Sequence, residues 1–213
     1  KTALIQKKNI TINNRKNIIL KQLALSSKDN EGSVYYDKIF TLPSNSLNIS
    51  EKSEFTRNQN FNQKVDISSL ETFCIKNKIE KVDFIKIDVE GEEFKIFNDI
   101  DNFFNKFKPI IYLEVHTTYS EVKKSYVYDK TFLDPLKKLN MYNYDVYLMK
   151  DLKEIWKNDD QYKKTNEIFK KENFFNKITF GEERIFNDIK RLNNYKVLAI
   201  NKNSDFKFDI DEI

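Results

Sequence analysis

Apolar and polar positions alternate in short blocks along the 213 residues. IILKQLAL, residues 18 to 25, predicts a short strand, and the SSKDNEG that closes on Gly32 carries turn residues. SVYYDKIF predicts a second strand; residues 43 to 64, polar and opened by Pro43, predict a long loop. A helix is expected to open at Asp66 or Ser68. Ser68 and Glu71 have capping-box spacing, and Leu70, Phe73 and Cys74 form an apolar face. VDFIKID, residues 82 to 88, predicts a strand. Phe94, Phe97, Ile100, Phe104 and Phe107 then repeat at helical spacing and predict one helix. IIYLEVH, 110 to 116, is almost wholly apolar, as a strand covered on both sides is.

Farther on, Phe132, Leu133, Leu136 and Leu139 predict a helix. Tyr142, Tyr144, Val146 and Leu148 alternate as in a strand. Residues 150 to 177 are charged and expected to be helical, either a lid or a solvated helix, with Trp156 and Phe169 as docking points. Ile185, Phe186, Ile189 and Leu192 predict another helix, and YKVLAIN, 195 to 201, a last strand. Strands alternating with helices predict an α/β domain with a largely parallel sheet. Neither an internal repeat nor a linker divides the chain, so residues 1–213 read as one domain.

Composition mostly narrows the classes. Lysine and arginine number 37 against 33 acidic residues, scattered without a dense basic block, so a nucleic-acid partner is not expected. No apolar run approaches the ~20 residues of a membrane helix, so no membrane partner is expected. With one cysteine, Cys74, no disulfide can form within the chain, which fits a reducing, cytoplasmic setting. The three glycines, Gly32, Gly91 and Gly181, stand far apart, so this chain has no glycine-rich phosphate cradle.

The unusual feature is FIKIDVEGEEF, residues 84 to 94, where an apolar strand runs into a group of carboxylates. In open α/β sheets ligands bind beyond the carboxyl ends of the strands. Asp88 and Glu90 lie at one such end, Glu114 and His116 at the next. Glu114 and His116, two apart on a strand, share a face. If the strands are neighbours, Asp88 meets His116 as a carboxylate–imidazole general base. Asp88, Glu114 and His116 are also a candidate divalent-metal set. Plainer roles stay open. Glu92 and Glu93 suit the positive end of a helix; Lys86 suits an ion pair or a site; His116 suits a hydrogen-bonded strand end. Cys74 and the Phe stripe read as core.

FIKIDVEGEE resembles the hallmark of FkbM-type methyltransferases, in which a strand ends in K-I-D-V-E-G-A-E; here Glu92 takes the alanine position. LALSSKDNEG, VDISSL and YLEVH resemble three further segments of the family in the same order, so that the likeness spans about residues 10–118. The resemblance implies a Rossmann-like class I methyltransferase fold, with a mixed, mostly parallel sheet, using S-adenosylmethionine. It also implies O-methylation of a sugar, glycan or small hydroxylated metabolite. Leu23, Ala24, Leu25 and Ser26 would end the third strand, beside the adenine. Asp88 and His116 would end the fourth and fifth, where the methyl group moves, with Lys86, Glu90 and Glu114 around them. His116, or Asp88 directly, would remove the acceptor's proton; a divalent ion would be another means of acidifying the hydroxyl.

Family members also carry a D-x-G-A-N-x-G-type loop after the first strand and an acidic residue after the second, and neither stands in this chain. Its start matches the helix before the third strand. The expectation is therefore a sheet lacking its first two strands, with an exposed gap, and an isolated chain that binds S-adenosylmethionine poorly and is inactive alone. The rival expectation is a non-catalytic α/β binding module that has lost its cofactor half.

Overall fold

A computed structural model describes residues 2–27, 29–35, 62–89, 93–116, 118–120, 125–127, 130–149, 175–181, 187, 189 and 194–204. Helix α1 (Thr2–Ile12) leads through turns to β1 (Ala24–Leu25). β1 pairs in parallel with β3 (Asn62–Ser68), whose other edge takes β2 (Asn30–Tyr35) antiparallel. The expected strand over 18–25 thus shrinks to two residues. Ile18 and Ile19 are 48% and 81% exposed, and a strand needs a paired neighbour to satisfy its backbone. β2 begins inside the expected turn. β3 replaces part of the expected loop and the expected helix start: Lys64, Val65, Asp66 and Ile67 alternate exposed and half-buried, the period of a strand.

Helix α2 (Leu70–Lys76) opens one residue later than its capping box predicts. Ser69 is the N-cap, its hydroxyl accepting from the Thr72 amide at 3.1 Å, while the Ser68 hydroxyl donates to Asp29. Asp29 also accepts from the Ser69 amide at 2.9 Å and from Lys76. These bonds, that of Ser69 first, hold its carboxyl below the usual range. Replacing Ser69 with alanine should cost about 1 kcal/mol, measurable as a lower denaturation midpoint at unchanged slope. An unchanged midpoint would show that the cap contributes nothing.

A five-stranded sheet carries the rest, in the order β4 (Phe84–Ile87), β5 (Ile110–His116), β10 (Asn194–Asn201), β8 (Tyr144–Met149), β9 (Phe175–Lys177). β4 and β5 are parallel, with Ile87 opposite Leu113. β10 runs antiparallel to both β5 and β8, so β4, β5 and β8 point the same way and β10 lies reversed between them. β9 is antiparallel to β8. The sheet is therefore mixed, and the expectation of mostly parallel pairing is corrected: among the described strands of this sheet, parallel pairing is confined to β4–β5. Alternation marks a strand but carries no sign of its direction. Strand β9 also falls in the last part of the expected charged helix, whose residues 150–174 lie outside the described residues. Of the helix expected at 185–192, Asn187 and Ile189 are described, both helical. A short hairpin, β6 (Thr118–Ser120) with β7 (Ser125–Val127), follows β5.

The Phe stripe forms two helices, α3 (Glu93–Asn98) and α4 (Asp101–Phe107), rather than one. The break centres on Ile100, fully buried at φ −113° and ψ 2°. Asp99 and Asp101 flank it, residues that compete with the helical backbone for hydrogen bonds. A 3-10 turn (Lys130–Leu133) leads into α5 (Asp134–Met141). The Tyr195 hydroxyl donates to the Phe132 carbonyl at 2.7 Å and ties this turn to β10.

Phe97, Phe103 and Phe104 of α3 and α4 pack with Leu136 and Leu139 of α5 over Leu113, Val146 and Val197 of the sheet, all at most 2% exposed. Along β5, buried and half-buried residues alternate. One face is thus core, and the face bearing Tyr112, Glu114 and His116 is half-buried. Cys74 is buried in the same core, and burial pushes its thiol up. Among the described residues no strand pairs with the outer edge of β4, and no helix is long and apolar enough to cross a membrane.

Candidate functional site

The two parallel strands end side by side; Glu114 and His116 lie on the half-buried face of β5, and Lys86 and Asp88, in and just after β4, are at exposed positions. With Ile87 opposite Leu113, Asp88 stands level with Glu114 one step later. His116 lies two residues farther, about 6.6 Å along the strand. Asp88 turns back to Lys86, whose Nζ donates to Oδ2 at 2.7 Å. That bond, more than the neighbouring charges, raises the lysine's pKa. Lys86 Nζ also lies 5.9 Å from the centroid of the Tyr112 ring. The expected Asp88–His116 couple is thus replaced by a Lys86–Asp88 pair. Register sets Asp88 beside Glu114 instead of His116, while Lys86, two residues back on the same face of the chain, takes the carboxylate.

The carboxylate that meets His116 is Glu93. Glu93 stands in the first turn of α3, where a carboxylate complements the helix dipole as expected; its side chain is also 1% exposed, and Oε1 lies 3.0 Å from His116 Nδ1. The same oxygen accepts from the Val89 amide at 3.3 Å. Glu114 Oε1 stands 3.5 Å from the other ring nitrogen, Nε2, and its Oε2 stands 3.8 Å from Lys196 Nζ. The His116 side chain is 19% exposed, so solvent reaches this group. The structure therefore assembles His116, Glu93, Glu114 and Lys196 from α3, β5 and β10. Glu93 carried a sequence signal, a carboxylate close after the strand end in a chain with one histidine. Lys196 carried none, because the reversed insertion of β10 brings it there.

The carboxyl of Glu114 ends below the usual range. Burial raises it, but the imidazole of His116 and the charges of Lys196 and Lys86 outweigh burial. Folding thus favours its ionised form. The stabilisation is complete above its ordinary value of 4.5 and is lost as pH falls through the lower folded value. Acid titration of the melting temperature should show this loss below pH 4.5, and Glu114→Gln should reduce it. An identical acid limb in the variant would remove Glu114 from the account.

Of the remaining predicted residues, Glu90 lies outside the described residues, with Gly91 and Glu92. Leu23 precedes β1, Ala24 and Leu25 form it, and the Ser26 amide donates to the Ser68 carbonyl at 3.0 Å. Leu25 lines an apolar cavity of about 270 Å³ with Val82, Ile85, Ile87 and Val89, along β4. No three His, Cys, Asp or Glu side chains among the described residues converge to hold a metal, so Asp88, Glu114 and His116 do not form the expected ligand set. Glu114 faces one ring nitrogen of His116, Glu93 holds the other, and Asp88 pairs with Lys86.

The profile of the methyltransferase FkbM domain matches residues 5–153. The chain belongs to the FkbM methyltransferase family. The match runs from α1 through β8 and beyond, farther in both directions than the motifs at 10–118, and it includes Glu93, Glu114 and His116. Membership makes this a methyltransferase domain, and the polar cluster lies at the carboxyl end of β5. Comparison with curated proteins and with solved structures finds no match.

Proposed function

We propose that this FkbM domain is an S-adenosylmethionine-dependent O-methyltransferase whose general base is His116. The observation that carries the reading is the position of the chain's single histidine. It is partly exposed at the carboxyl end of β5 and held between two carboxylates. A hydroxyl must lose its proton as it accepts a methyl group, and a fixed imidazole suits that transfer near neutral pH. S-adenosylmethionine, when bound, would supply an electrophilic methyl group, its methyl–sulfur bond breaking and the sulfonium leaving as the neutral thioether. The acceptor's O–H proton passes to His116 Nε2 as its oxygen takes the methyl group. Lys86 and Asp88, at the end of the neighbouring strand, flank the approach.

The chain's residues fit the flat, apolar part of the cofactor. The cavity beside β1 is walled by Leu25, Ile87 and Val89, with Lys86 as its one charged lining residue. Leu23, Ala24 and Ser26 are proposed to shape the adjoining edge. The acceptor is proposed to be a sugar, a glycan or another small hydroxylated molecule.

The test incubates the full chain with methyl-labelled S-adenosylmethionine and a panel of monosaccharides, oligosaccharides and phenols. Label recovered in an ether linkage is the expected result. Label found only on nitrogen, or on none of the panel, contradicts the proposal.

A further inference from the structure

Nine large apolar side chains among the described residues are exposed, and six of them fall within residues 4–20. Leu4, Ile5 and Ile12 lie on α1, and Ile18, Ile19 and Leu20 on the connection to β1, each between 38% and 81% exposed. Charge is distributed as unevenly. Residues 1–21 hold six lysines and arginines and no aspartate or glutamate; since the whole chain's net charge is +4, the remainder is slightly acidic. The segment stands out less by the density of its cations than by the lack of any carboxylate among them. We propose that α1 and the connection after it form a surface that lies on an anionic lipid bilayer. The proposal is independent of the chemistry of His116.

The local structure is built for such a contact. Leu4, Ile5 and Ile12 fall within about 100° of the circumference of α1, on a different side from Ala3 and Ile10, which are half-buried. Lys8 lies inside that outward stripe, and its long stem can lift the charge to the level of lipid headgroups. The helix closes in a Schellman turn. Asn14 is left-handed at φ 49°, the Arg15 amide donates to the Ile10 carbonyl at 3.0 Å, and the Asn14 amide donates to the Thr11 carbonyl at 3.1 Å. This turn fixes the direction in which the next residues leave the helix. Arg15 and Lys16 on one side and Lys21 on the other then bracket Ile18, Ile19 and Leu20. Exposed aliphatic side chains flanked by cations match a bilayer interface, where acyl chains lie beneath anionic headgroups.

Other partners fit less well. A nucleic acid would use the cations but not the aliphatic residues, and residues 1–21 contain no aromatic ring to stack on a base. A second copy would bring two positive segments together. Among the described residues no helix is long and apolar enough to cross a membrane, but lying on its surface needs no such length.

Flotation of the full chain with lipid vesicles on a density gradient tests the proposal. The chain is expected to rise with vesicles of phosphatidylserine and phosphatidylcholine in equal parts, to stay behind with phosphatidylcholine alone, and to be released progressively by salt. Ile18→Ser with Ile19→Ser is expected to weaken the partition into anionic vesicles about tenfold or more. Arg15→Gln with Lys16→Gln is expected to weaken it about tenfold. Lys78→Gln with Lys108→Gln, cations outside the segment, should leave it within about twofold. All six positions are exposed, so none of these changes removes core packing. Failure to float with the anionic vesicles overturns the proposal. So does equal flotation with neutral vesicles, or an equal loss in the Lys78 and Lys108 variant. A chain that does not float but sediments as a dimer, or shifts a duplex RNA, gives the segment to that partner and equally overturns it.

Discussion

Asparagine in place of His116 is expected to lower methyl transfer by roughly two to four orders of magnitude, the usual contribution of a positioned general base. The choice of asparagine separates chemistry from folding. Glu93 is 1% exposed, and a buried carboxylate that loses its partner destabilises the fold by about 3–5 kcal/mol. An alanine at 116 would therefore confuse an unfolded domain with an inactive one. The asparagine amide nitrogen takes the place of Nδ1 and still donates to Glu93, but the variant has no counterpart of Nε2 to accept a proton. The comparison is turnover of labelled donor by both proteins, with their melting temperatures measured in parallel. A variant that melts normally and retains more than about a tenth of the activity would remove His116 from the chemistry.

Phenylalanine 104 should be the most costly core position to truncate, with Phe104→Ala losing about 3–5 kcal/mol. The ring is 1% exposed. Its centroid lies 5.7 Å from that of Phe97, 6.1 Å from Phe103, 5.3 Å from Tyr142 and 5.4 Å from Tyr144. The same side chain therefore joins α3 and α4 to the start of β8, and these neighbours are too large and too well packed to collapse into the space left behind. Edge-on aromatic pairs add about 0.5–1.5 kcal/mol beyond area burial. Against the ~5–15 kcal/mol that holds a typical domain folded, the loss is large, and the melting temperature should fall by roughly 6–20 °C. A fall under about 3 °C would mean that the aromatic cluster relaxes freely and is not a rigid part of the core.

Local pattern was a reliable guide where a segment was long enough to show its period and had a partner to bury it. The strands around 84–87, 110–116, 144–149 and 194–201 and the Phe stripe were all legible, because alternation and the three-to-four spacing follow from backbone geometry. It was a poor guide at 18–25, where four apolar residues lack a neighbour to pair with. It also passed over 62–68, where Val65 and Ile67 give a weak alternation beside a polar loop. The break at Ile100 was hidden by a stripe that continues in phase across two helices.

For the site, the sequence alone determined that carboxylates and the sole histidine gather at strand ends, and that the motif around Asp88 is the mark of the FkbM methyltransferases. Chemistry-bearing residues at the ends of apolar runs can be read in one dimension, since the change from apolar to charged positions is visible in the sequence itself. Only the tertiary structure decided which carboxylate meets which nitrogen. Glu93 and His116 are 23 positions apart, and their contact depends on the packing of α3 against β5. Lys196 arrives because β10 enters the sheet in reverse. These are relations between elements, set by packing and pairing, to which no local period corresponds.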